Sequence, residues 1–293
     1  MIDFNRGIRK LNEFRGAEKK MTINVDGVTY MVKMPDPIRE QRLREEISYK
    51  NNQFSEHIGC EIFKACGIKS QTTKLGTFET PEGKNKIVVG CEVFTNSNTK
   101  LIEMKALANA TVGSDRKMEN TIEDVYYTIN HEPLIENKEF AIKQFWDMFI
   151  IDALIGNTDR HLGNWGFVEK GNNVEFAPVY DCGSSLGALL DDEMMSDKLA
   201  KNPKLSDIEK STFSIYKLKG KRISHIEIFK DPPVDLANSI RDVVPRINME
   251  KIHSIIDSVE QISDVRKHYL KQSLKLRYED ILRPSLKKLE TLK

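Results

Sequence analysis

Asp159 and Asn164 stand five residues apart in Asn157-Thr158-Asp159-Arg160-His161-Leu162-Gly163-Asn164, and a second carboxylate follows in Tyr180-Asp181-Cys182-Gly183. Those are the groups that transfer of a phosphoryl unit to a hydroxyl requires. One carboxylate orients the attacking hydroxyl and takes its proton. Oxygen ligands hold magnesium against the phosphates, and a cation grips the phosphates that do not react. On this spacing Asp159 is the candidate base, and Asn164 and Asp181 are the candidate magnesium ligands. Asp-Arg-His alone is a weak signal, because an Asp beside a helix end is often only a cap. Its weight comes from Asn164, Asp181 and an upstream lysine taken together.

The cation is expected from the N-terminal part. Tyr30-Met31-Val32-Lys33 ends a strand whose alternation presents one long cation, and Glu56 on the helix after it is the natural partner, although Glu45, Glu46 and Glu61 are also at hand. Arg15-Gly16-Ala17-Glu18-Lys19-Lys20 reads as a turn before a strand. There Gly16 and Lys19 would lie over the phosphates, with backbone N–H groups as donors. Cys91-Glu92-Val93-Phe94 closes the last strand of this part, and Glu92 and Phe94 are placed to meet the adenine edge through backbone groups.

The elements that must position these groups are legible. Met21 to Val25 and Val28 to Met34 flank Asp26-Gly27, a two-residue hairpin signal. Phe54, Ile58, Ile62 and Phe63 fall at helical intervals, and Gly67 ends that helix. Gln71 to Phe78 and Lys86 to Phe94 read as two further strands. Leu101 to Ala110, Ile122 to Ile129 and Glu136 to Ile155 read as helices, with a short hairpin around Gly171-Asn172-Asn173. Ser184 to Thr212 is polar and poorly patterned, and the stretch from Val234 onward reads as packed helices. The expected fold class is α+β, with a small β-rich N-lobe over residues 1–95 and a larger helical C-lobe over 96–293.

Composition narrows the function classes. Net charge is +1 with neutral histidines, so there is no global pull toward nucleic acid or an anionic membrane. Phe145 to Ile155, the longest apolar stretch, is interrupted by Asp147 and Asp152 and reads as a buried helix, not a membrane span. Cys60, Cys66, Cys91 and Cys182 form no Cys-x-x-Cys pair and read as buried thiols in a reducing compartment. The first thirty residues lack an apolar leader core, so a cytoplasmic protein is expected, with a secreted effector left open. Arg160 and His161 read as braces of the loop, Asp152 as a buried carboxylate satisfied by loop N–H groups, and Trp146 and Trp165 as core.

Asn157-Thr158-Asp159-Arg160-His161-x-x-Asn164 followed by Pro178-x-Tyr180-Asp181 resembles the HipA-like serine/threonine kinases in their compact, CtkA-type form. The likeness is densest in Met31 to Pro35, Phe54 to Glu56, Lys86 to Thr95 and Phe145 to Phe167. It implies a bilobal, protein-kinase-like fold, ATP with Mg2+ and a protein Ser or Thr as acceptor, and it leaves room for an antitoxin partner. Autophosphorylation is expected within Ser184 to Thr212, which follows Asp181 where kinases place a substrate-facing segment and holds Ser184, Ser185, Ser196, Ser206, Ser211 and Thr212. Carried over by motif, Asp159 is the catalytic Asp, Asn164 and Asp181 the metal ligands, and Lys33 the ATP lysine. Two other classes remain open on residues alone. Phosphoinositide-type lipid kinases share Asp-Arg-His-x-x-Asn, and a nucleotide-binding pseudokinase would keep the fold without the transfer.

Overall fold

The structure is a computed structural model that describes residues 1–11, 20–35, 51–112, 119–201 and 213–291. The N-terminal strands are β1 (Ile2–Asp3), β2 (Ile8–Lys10), β3 (Lys20–Val25), β4 (Val28–Lys33), β5 (Thr73–Glu79) and β6 (Asn85–Glu92). They form one sheet of order β1-β5-β6-β4-β3-β2. The Asp26-Gly27 hairpin forms as the sequence predicts, with φ of 50° and 84° at the two turn residues and Val25 paired to Val28.

That register fixes which side chains meet. Lys20 lies opposite Lys33 and Thr22 opposite Met31, while Met31 and Lys33 lie opposite Cys91 and Val89 of β6. Cross-strand partners share a face, so Lys20, Thr22, Met31, Lys33, Val89 and Cys91 line one side of the sheet. The other side carries a small separate core of Ile23, Tyr30, Val32 and Val88 around Phe4.

Helix α1 (Asn52–Ala65) crosses the first of these faces. It closes as the sequence predicts, with Gly67 N–H donating to Lys64 O (2.9 Å) and Ile68 N–H to Phe63 O (3.0 Å). Its apolar stripe of Phe54, Ile58, Ile62 and Phe63 does not end at the sheet. It belongs to the same buried cluster as Phe145 to Ile155 of α4 (Lys138–Ile155). Every residue from Phe145 to Ile155 is buried, which is what a helix apolar on all sides demands.

Around α4 lie α2 (Met104–Val112), α3 (Ile122–His131) and a three-stranded sheet of β7 (Thr99–Glu103), β8 (Gly166–Lys170) and β9 (Asn173–Phe176). After these come α5 (Asp192–Lys201), the hairpin β10 (Phe213–Leu218) with β11 (Lys221–Ser224), and α6 (His225–Lys230). The chain continues through α7 (Val234–Val243), α8 (Met249–Asp257), α9 (Asp264–Arg277) and α10 (Arg283–Thr291).

Two expectations change. Leu101 to Glu103 belongs to strand β7, because it pairs with β8, and the helix starts only at Met104. Part of the polar stretch after Ser184 is helix α5, and residues 202–212 lie outside the described residues. The basic run Lys217 to Arg222 lies on the hairpin of β10 and β11, with Lys217, Lys219, Lys221 and Arg222 exposed. No described helix is long and apolar enough to cross a membrane. All four cysteines are buried free thiols.

Candidate active site

Helix α4 ends at Gly156, and the end is built around Asp152. The Asp152 carbonyl accepts the N–H groups of Gly156 and Asn157. Its carboxylate accepts Asn157 Nδ2 at 3.0 Å and the Arg160 guanidinium through Nε at 2.8 Å and Nη2 at 3.0 Å. Asp152 is thus buried as expected, but its carboxylate is satisfied by side chains; the loop N–H groups go to its carbonyl.

The loop then folds on itself. Asp159 N–H donates to Asn157 Oδ1 (3.2 Å), and Asp159 O accepts His161 N–H (2.9 Å) and Asn164 Nδ2 (2.8 Å). Because the Asn164 amide nitrogen is spent on that carbonyl, its Oδ1 remains as an acceptor. His161 Nδ1 accepts Gly163 N–H at 3.0 Å, which puts the neutral ring's proton on Nε2. Asp159 itself is half-buried.

Asp181 faces this loop from the other side. Lys33, 4% exposed, reaches Glu56 Oε2 at 3.0 Å and Asp181 Oδ1 at 2.8 Å. The other Glu56 oxygen accepts Asp181 N–H at 3.0 Å. Asp181 has φ of 61°, a left-handed conformation costly for a residue with a Cβ, and the Glu56 carboxylate is what holds its backbone there. Two glycines permit the close approach. A Cβ on Gly59 of α1 would meet Cys182 Cβ at 2.7 Å, and one on Gly183 would meet Glu56 Oε2 at 3.2 Å. Of the alternatives to Glu56, Glu61 pairs with Lys64 at 2.7 Å, while Glu45 and Glu46 lie outside the described residues.

Burial alone would raise the Asp181 carboxyl, but Lys33, with smaller help from Arg160 and Lys20, pulls it down to about 2. It is therefore a firm anion at neutral pH, and its side chain keeps 28% exposure. Asp181 and the Asn164 Oδ1 offer hard oxygen donors only. Among the described residues no group of three or more His, Cys, Asp or Glu converges as a metal cage. Two protein oxygens beside a place for phosphates suit magnesium, which keeps waters and shares phosphate oxygens.

The sheet face continues into a cleft of about 600 Å³ whose lining includes Lys10, Thr22, Thr29, Glu92, Val93 and Thr95. The backbone groups of Glu92, expected to meet the adenine edge, are already paired here. Glu92 N–H donates to Thr72 O, Glu92 O accepts Gln71 Nε2 at 2.9 Å, and Val93 N–H donates to Thr29 O. Several backbone groups of the crossing are thus used to hold it in place. Phe94 packs its ring on Tyr180, with centroids 6.1 Å apart.

Gly16 and Lys19 lie outside the described residues. The sequence reading passed over Lys20, which shares the cleft face with Lys33 and whose charge acts on Asp181. The signal was there: a two-residue turn at Asp26-Gly27 pairs Val25 with Val28, and counting back pairs Lys20 with Lys33. The reading also passed over Thr22, Val93 and Thr95.

Comparison with known proteins agrees with this fold. A family model described as HipA-like C-terminal domain matches residues 13–265. A curated Helicobacter pylori protein, serine/threonine-protein kinase CtkA, is 35% identical over 282 residues, which is 92% of this chain and 82% of that one. The crystal structure of a Helicobacter pylori proinflammatory kinase CtkA matches with a TM-score of 0.89 and 32% identity, over 100% of this chain and 98% of its own. HipA from Shewanella oneidensis MR-1, solved with HipB and operator DNA, matches with a TM-score of 0.55 over 88% of this chain and 60% of that one. At 14% identity that likeness concerns the fold alone. With a family match over most of its length and a 35% identical relative, the chain belongs to the HipA-like C-terminal domain family, as a serine/threonine-protein kinase of the CtkA type.

Proposed function

We propose that this chain moves the γ-phosphoryl group of ATP to a protein Ser or Thr hydroxyl, with the roles divided as follows. Asp159 orients the acceptor hydroxyl and takes its proton. Asn164 and Asp181 hold magnesium, which when bound neutralises the phosphate oxygens. Lys33, steadied by Glu56, grips the phosphates that stay behind, and Lys20 joins it from the neighbouring strand. The adenine lies in the cleft beside Glu92, Val93 and Thr95. The observation that carries this reading is the buried Lys33, which bridges Glu56 and Asp181 at 3.0 and 2.8 Å. It ties the sheet, α1 and the Asp-Cys-Gly turn into one anion-and-cation site next to Asp159.

The acceptor and partners are the finer part of the proposal. Among the candidates for autophosphorylation, Ser184 and Ser196 are exposed. Ser185 is fully buried, with its hydroxyl donating to Cys182 O at 2.7 Å, so it is dropped as an acceptor. Ser206, Ser211 and Thr212 lie outside the described residues. An antitoxin partner rests on the complex of HipA with HipB, and that HipA shares only the fold with this chain.

The test is labelled ATP with magnesium, offered protein acceptors and phosphoinositide vesicles side by side. Wild type is expected to label protein. Asp159→Asn is expected to keep ATP binding and lose about two to four orders of magnitude in transfer. Label on lipid alone, or full transfer by folded Asp159→Asn, would overturn the reading.

A further inference from the structure

Arg160 makes contacts that a simple loop brace does not need. A guanidinium has five N–H donors, and all five are spent here on three different segments. Nε and Nη2 hold the two oxygens of Asp152 on α4, at 2.8 and 3.0 Å. Nη1 donates to the Asn164 carbonyl at 2.8 Å and also to the Tyr180 carbonyl. The remaining Nη2 proton points to Cys182 Sγ at 3.5 Å. Asn164 ends the loop that begins at α4, and Tyr180 and Cys182 flank Asp181. One nitrogen atom therefore binds backbone on both sides of the proposed magnesium position.

The Asp152 carboxylate fixes that fork. Arg160 and Asp152 are 2% and 3% exposed, and burial disfavours the charged guanidinium, but the Asp152 carboxylate beside it favours the charged form more strongly. A bidentate pair in this surrounding has one orientation, since rotating the guanidinium breaks both bonds together. The direction of Nη1 is then set by α4, whose residues from Phe145 to Ile155 are all buried. Lysine cannot replace this arrangement, because it offers a point charge without a planar fork.

We infer that Arg160, oriented by Asp152, is a positioning residue that sets the separation of Asn164 and Asp181 and so the protein's affinity for magnesium in the nucleotide complex. The inference rests on the assignment of those two residues as metal ligands. Arg160 touches neither nucleotide nor acceptor in this role. Its effect is on the Mg2+ requirement and not on the base at Asp159.

Two variants test it. Arg160→Lys keeps the charge and removes the fork. The double variant Asp152→Asn with Arg160→Gln removes both charges, so neither is left buried alone, and its side chain is too short to reach both carbonyls. Binding of a non-hydrolysable ATP analogue is measured by calorimetry across a Mg2+ titration, with circular dichroism to confirm folding. The expected result is that the Mg2+ midpoint rises about tenfold or more in both variants, the scale seen for partners that orient metal ligands. Analogue affinity without Mg2+ is expected to stay within about twofold. An unchanged midpoint in a folded variant overturns the inference. So does an equal loss of affinity with and without Mg2+, which would mean a loosened site. Failure of both variants to fold also overturns it, since Arg160 would then serve stability alone. A wild type whose analogue binding ignores Mg2+ would sink the metal-ligand assignment itself.

Discussion

Two buried charge clusters touch the same Asp-Cys-Gly turn and are built in opposite ways. Around Lys33, one cation faces two carboxylates, Glu56 and Asp181, so the group carries a surplus negative charge, and Asp181 keeps 28% exposure at its edge. Around Arg160, one cation faces one carboxylate, both side chains are under 5% exposed, and every guanidinium N–H has an acceptor. A cluster with an unbalanced, partly open anion can take up a cation and a polyphosphate. A cluster that is neutral, closed and saturated can only hold its neighbours where they are. The difference separates a group placed to bind from a group placed to position, although both look like ion pairs in the interior.

Substitution on each side should therefore fail in different measurements. Asp181→Asn removes the surplus anion from the open cluster. Phosphoryl transfer at saturating ATP should fall about a hundredfold or more, and magnesium should no longer strengthen nucleotide binding. The unliganded protein should lose less than about 2 kcal/mol of stability, since Lys33 keeps Glu56 and Asn tolerates the left-handed backbone at this position. Urea unfolding and a transfer assay on the same preparation check both halves. A variant that unfolds at much lower urea and keeps its residual activity per folded molecule would erase the contrast.

The closed cluster should show the reverse. Asp152→Ala leaves the Arg160 guanidinium buried without its carboxylate, which costs about 3–5 kcal/mol. A steep fall in melting temperature is expected, in the absence of any nucleotide. If Asp152→Ala melts like the wild type, the cluster around Arg160 is not the saturated support described here.

The two clusters were not equally legible in the sequence. Lys33, Glu56 and Asp181 could be named because phosphoryl transfer asks for those groups, and a strand lysine, a helix glutamate and an Asp-x-Gly turn are recognisable by type and place. Asp152 and Arg160 could be marked as buried and bracing, but not as partners of each other. Eight residues separate them, across a helix end whose turn at Gly156 decides whether they meet. Lys20 was missed for a similar reason: its role follows from strand register, which the hairpin turn sets, and not from its local neighbours. Strand β7 was read as helix because Leu101, Ile102 and Met104 satisfy either period over so few residues. Only the pairing with β8, brought in by the loop after α4, decides for strand. Gly16 and Lys19 remain a sequence reading.

The smallest expected effect is a pH dependence that separates the clusters without altering the active protein. The Asp181 carboxyl lies at about 2 in the folded chain, against an ordinary value of 3.8. A folded-state value below the unfolded one means that the native state favours the charged form. The resulting stability is fully present above about pH 4 and is lost as pH falls toward 2, because both states are then protonated. The amount is about 2 kcal/mol at most, since a shift of one unit is worth about 1.4 kcal/mol and partial exposure lets solvent screen part of it. Many other carboxylates titrate in the same window, so the wild-type curve alone proves nothing. The useful quantity is the stability difference between wild type and Asp181→Asn, from urea unfolding at pH 6, 4 and 3 with ionic strength held constant. That difference should shrink steadily toward acid pH, with most of the change below pH 4. A difference that stays constant to pH 3 would mean that Lys33 does not hold the Asp181 carboxylate in the charged form, and the open cluster would lose the anion that distinguishes it.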